Sequence, residues 1–120
     1  MAVQNRGLRL DMSAPLLQTD LLYSRLATND GLADLVELFV DELPARVAQL
    51  RACFDAENWD ELQRYAHQIN GAAGSYGFDP LTPAATRLER AVAAHDSCEQ
   101  IAAALEELQT LCQRVRAGTP

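Results

Sequence analysis

The run Leu32, Leu35, Val36, Phe39, Leu43, Val47, Leu50 and Phe54 leaves this chain little choice of local structure. Its apolar residues recur at intervals of three and four, the period of an amphipathic α-helix and not the strict alternation of a half-buried strand. The spacing predicts one long helix over about Leu32 to Ala56. Pro44 falls inside it, where a proline removes one backbone donor and bends a helix around its neighbours.

The same period returns three times further on. Asn58-Trp59-Asp60-Glu61 has the form of a capping box, in which the first side chain accepts from a first-turn amide and the glutamate reaches back. It opens a helix carrying Leu62, Tyr65, Ala66, Ile69, Ala72, Ala73 and Tyr76, with Trp59 expected to pack at its end. Gly77-Phe78-Asp79-Pro80 closes that helix; Asp79 can cap the next one with Pro80 at its first position, while Thr82-Pro83 offers a competing start. Leu81, Ala84, Ala85, Leu88, Ala91 and Val92 then read as a helix to about Ala94. After the turn His95-Asp96-Ser97, Ser97 and Gln100 form a second capping box, and Ile101, Leu105, Leu108, Leu111, Cys112 and Val115 supply the last buried stripe. Arg114 and Arg116 are expected in the final turn of that helix, where positive charge suits the dipole.

Before the long run, Leu16, Leu17, Leu21, Leu22 and Leu26 suggest a short helix ending near Thr28-Asn29-Asp30-Gly31. The expected fold class is therefore all-α: an antiparallel up-down-up-down four-helix bundle with a short additional N-terminal helix. Residues 1–14 read as a flexible tail, 15–117 as the bundle and 118–120 as a frayed end.

Composition narrows the partners. The formal charge is -7, and every basic residue is arginine. That balance argues against nucleic acid or an anionic membrane surface, both of which need a basic footprint. Cys53, Cys98 and Cys112 show no metal-ligand spacing and are odd in number, so the reading is free thiols in a reducing cytoplasm with no metal site. No apolar run approaches the length of a membrane span. The chain is expected to be cytoplasmic and monomeric, and a start at Met1 followed by a short tail favours a free-standing protein.

The segment from Arg64 to Phe78 is the most informative. On a helical wheel His67 points about 160° away from the apolar stripe, with Arg64, Gly71 and Gly74 on its own side. His67 is therefore expected to face water. Each glycine inside an exposed helix costs about 1 kcal/mol relative to alanine. Either a second protein must bring its backbone close to the imidazole, or the small residues Gly71 to Gly74 let a neighbouring helix pack closely.

The run His67-Gln68-Ile69-Asn70-Gly71-Ala72-Ala73-Gly74-Ser75-Tyr76-Gly77, with Leu88-Glu89 after it, resembles the signature of the histidine-containing phosphotransfer (HPt) family of two-component phosphorelays. The resemblance extends over about Leu21 to Val115, although only His67 to Gly77 is specific. It implies a four-helix bundle whose histidine accepts a phosphoryl group from a receiver-domain aspartate and passes it to another receiver. His67 is then the phospho-acceptor, and Arg64, Gln68, Asn70, Gly71 and Gly74 are candidates for phosphate or partner binding. Such a chain is a phosphoryl carrier without a cofactor of its own, its partners being receiver domains of response regulators or hybrid kinases that supply the Mg²⁺.

One position departs from the pattern: the lysine expected three residues after the histidine is Asn70. Asparagine donates hydrogen bonds but brings no charge. Arg64 is one candidate to replace it, with Arg87 and Arg90 on the following helix as others. Free imidazole titrates near pH 6.5, so at neutral pH a large fraction carries a free lone pair that can attack phosphorus. Nucleotide-binding glycine patterns are absent. His95 reads as an ordinary surface residue in a turn, and Phe78 is placed near the edge of a docking face built from the His67 helix and part of the Leu32 to Ala56 helix. Two other functions fit the same residues: an adaptor that regulates a receiver or kinase by occupancy, and a helical protein that dimerises through Gly71 to Gly74.

Overall fold

The long apolar run folds as helix α1 (Ala33–Asp55), continuous through Pro44, which sits on the solvent side. The computed structural model describes residues 21–119. Three further helices follow, α2 (Trp59–Ser75), α3 (Leu81–Ala93) and α4 (Cys98–Cys112), flanked by the two-residue strands β1 (Leu22–Tyr23) and β2 (Val115–Arg116). Each helix packs on the next and α4 returns to α1, so the four apolar stripes share one core. Phe39, Leu50, Leu62, Ile69, Phe78, Leu81, Leu88, Leu105 and Leu108 are fully buried there.

Helix ends follow local rules. Asn58 accepts from the Glu61 amide at 3.4 Å and Ser97 from the Gln100 amide at 3.2 Å, the forward half of each expected capping box; Glu61 does not reach back, since its carboxylate accepts from Arg64 and the Asn58 amide donates to Cys53 O. Trp59 packs edge-on against Phe54, ring centroids 5.8 Å apart. Helices α1, α2 and α3 all stop with one residue in the left-handed conformation: Glu57 (φ 54°), Gly77 (φ 82°) and His95 (φ 56°). The amide after each bonds back over the turn, Asn58 to Cys53 O, Phe78 to Ala73 O and Asp96 to Ala91 O, which satisfies carbonyls the helix leaves open. His95 is thus an exposed terminator of α3.

Several expectations are corrected. Of the suggested N-terminal helix, Leu21, Leu22 and Leu26 are described and are not helical: Leu22 and Tyr23 form β1, followed by a turn. Leu16, Leu17, the tail up to residue 14 and Pro120 lie outside the described residues. At the other end, α4 finishes at Cys112, so Arg114 and Arg116 are not in its last turn. Val115 leaves the helical path to pair in parallel with Leu22 and is buried, a role that suits its β-branched side chain. Asp79 does not cap α3, which begins after Pro80 without a side-chain cap; its carboxylate accepts from Arg25 Nε at 2.9 Å. Leu35 is 43% exposed, because it lies about 100° round the helix from its buried neighbour Val36. Phe78 is not at a surface edge but fully buried, 5.6 Å from the Phe39 ring.

The cysteines are free: Cys98 is exposed, Cys53 half-buried, and Cys112 buried, which pushes its thiol up to about 12. No described helix is long and apolar enough to cross a membrane. Among the described residues no group of His, Cys, Asp and Glu could hold a metal ion.

Candidate functional site

Helix α2 buries Leu62, Ala66, Ile69 and Ala73, and this fixes what it shows to solvent. His67, Gln68, Gly71 and Gly74 are all exposed on the opposite side. The His67 side chain is 72% exposed, yet its ring is held. Nδ1 lies 2.8 Å from Oε2 of Glu89, on α3. A carboxylate only accepts, so Nδ1 carries the proton and the lone pair of the neutral ring is on Nε2. The ring has a fixed direction, an assigned tautomer and an open nucleophilic nitrogen.

Glu89 is itself positioned. It is half-buried beside the α3 stripe, and Asn70 Nδ2 donates to its Oε1 at 3.5 Å and to Thr86 Oγ1 at 2.9 Å. Asn70 is half-buried too, and these bonds turn its amide towards α3. Charge at this position would alter the Glu89 contact; a neutral amide supports it. His67, Asn70, Thr86, Glu89 and Arg90 line one shallow recess of about 340 Å³ between α2 and α3.

The remaining candidates divide. Arg64 lies one turn before His67 and lines an adjoining recess with it, but its guanidinium makes two hydrogen bonds to Glu61, at 2.9 and 2.6 Å, and lies 4.7 Å over the Tyr65 ring. Those bonds hold the Glu61 carboxyl below its ordinary range and raise the arginine. Gln68 is exposed beside the histidine. A methyl group built on Gly71 or Gly74 would meet nothing within 4 Å. Among the described residues, then, no neighbouring helix requires either glycine to be small.

Glu89 and Thr86 are the site residues that sequence reasoning left without a role. Both flank the buried stripe of α3 at half-buried positions three residues apart, which puts them on one side of the helix. Only the rotation of α3 against α2 shows that this side meets His67.

Fold and site together define a class: a small all-α domain that presents one oriented histidine on the outside of a packed helix. The Hpt domain model matches residues 34–118, and the chain belongs to that family. Hpt domains are phosphocarrier modules of two-component systems rather than classical enzymes, and they act with receiver domains in phosphorelays. No curated protein matches the chain, and no solved structure does.

Proposed function

We propose that this protein is a phosphorelay intermediate in which His67 Nε2 takes a phosphoryl group from a receiver-domain aspartate and passes it to a second receiver. The observation that carries the reading is the ring itself, 72% exposed while Nδ1 is bound to Glu89 at 2.8 Å. As Nε2 attacks phosphorus the imidazole gains positive charge, and the Glu89 carboxylate steadies it without needing to take the proton. The acyl oxygen of the aspartate leaves with its electron pair, so the step is a substitution at phosphorus that depends on positioning more than on added covalent chemistry. The receiver brings the Mg²⁺. Gly71 and Gly74 keep the surface next to the histidine low, which suits the approach of a partner backbone. The short connections 56–58, 76–80 and 94–97 support the antiparallel up-down-up-down order, a rigid mount for the ring. The protein acts as a cytoplasmic monomer.

The test is phosphoryl transfer from a panel of phosphorylated receivers to the native chain and to His67→Gln. Label of the acid-labile, base-stable kind is expected on the native chain and at least a hundredfold less on the variant. Binding to a receiver with no transfer to the native chain would replace this reading with the occupancy adaptor.

A further inference from the structure

We propose that Arg90 binds the phosphoryl oxygens once His67 is phosphorylated, and so supplies the positive charge that Asn70 does not; this rests on the phosphotransfer reading. A phosphoryl group brings between one and two negative charges at neutral pH. Here it would arrive on a ring already bound at 2.8 Å to the Glu89 carboxylate. The phosphoryl group would sit on Nε2, across the ring from that carboxylate, and like charges on one imidazole's two sides still repel, so a nearby cation decides how well the phosphorylated state is held.

Three arginines on α2 and α3 could serve, and their contacts separate them. Arg64 is held by Glu61 through two bonds and stacked on Tyr65. Arg87 is drawn across to α4, its Nη1 donating to Glu107 at 2.5 Å. Arg90 is exposed, follows Glu89 directly in α3, and lines the same recess as His67. Among the described residues its side chain makes no hydrogen bond or ion pair. It also borders the larger groove beside Asp96 on the other side of α3, so its long stem has room to move between the two. A guanidinium offers two parallel donors to phosphoryl oxygens, with the fork geometry such oxygens accept.

In the transfer step the N–P bond forms at Nε2 as the acyl O–P bond breaks, and the electron pair leaves on the aspartate. The Nδ1 proton stays with the ring at Glu89, and Arg90 moves no proton; it binds oxygens.

The test uses the full chain, phosphorylated on His67 either by phosphoramidate or by a phosphorylated receiver, and follows the phosphohistidine by ³¹P NMR. A bound cation lowers the titration midpoint of the phosphoryl group. In Arg90→Gln the midpoint is expected to rise, and the transfer equilibrium to move about tenfold back towards the receiver, the effect of losing a charge-assisted hydrogen bond. Arg90→Lys should restore the midpoint, and Arg87→Gln should leave midpoint and equilibrium at their native values. A native midpoint and equilibrium in Arg90→Gln would overturn the assignment while leaving the carrier reading intact. A native chain that takes no phosphate on His67 from either source would remove both.

Discussion

The last turns of α2 and the turn that ends it use glycine in opposite ways. At Gly71 and Gly74 a methyl group would meet no other element within 4 Å among the described residues. At Gly77 the backbone is left-handed, and a methyl group would sit 2.5 Å from Ser24 Oγ and 3.0 Å from Leu26 Cγ. Ser24 cannot easily give way, since its hydroxyl donates to Tyr76 O at 2.5 Å and accepts from the Leu26 amide at 2.9 Å, while the Arg25 amide binds Gly77 O. The chain itself requires Gly77 to be small. Among the described residues nothing requires Gly71 or Gly74 to be small, and under the proposed function the beneficiary is the docking receiver.

Three substitutions would break or sharpen that contrast. Gly77→Ala should cost about 2–4 kcal/mol, combining left-handed strain with disruption of the Ser24 bonds; a denaturant midpoint unchanged from the native chain would show that Ser24 and the turn adjust freely. Gly71→Leu should leave the domain folded and at least as stable as the native chain but weaken receiver binding by about tenfold, or 1.4 kcal/mol, as read by calorimetric titration with the receiver that donates phosphate. Equal affinity would place the docking surface elsewhere. Gly74→Ala has the smallest effect and the opposite sign, a gain of about 0.5–1 kcal/mol in unfolding free energy from the better helix former. A loss there would mean that the position serves the fold after all.

How much the sequence disclosed depended on whether one helix or two set the answer. The buried stripe of α3, from Leu81 to Val92, follows from periodicity residue for residue, as do the caps at Asn58 and Ser97. The outward direction of His67 follows from the stripe of its own helix in the same way. What could not be read is anything that depends on how one helix is turned against another. Glu89 reaching His67, Asn70 bending towards Thr86, and Arg90 reaching the recess that His67 lines are such facts. The ends of the domain misled for a different reason. Leu21, Leu22 and Val115 fit a helical period, but so short a run is equally compatible with a strand, and here tertiary pairing of Leu22 with Val115 settles it. Phe78, expected near the edge of the docking face, is instead swung inside by the left-handed turn at Gly77.

That pairing of β1 with β2 has a kinetic consequence. Its hydrogen bonds, including Leu22 N–H to Arg114 O at 2.7 Å, join opposite ends of the described chain. The helices make their first contacts between sequence neighbours, which collapse quickly, whereas closing a loop that contains all four of them carries an entropic cost that only an assembled bundle offsets. The clasp is therefore a late event in folding, and its amide protection reports completion of the whole domain rather than formation of any one helix.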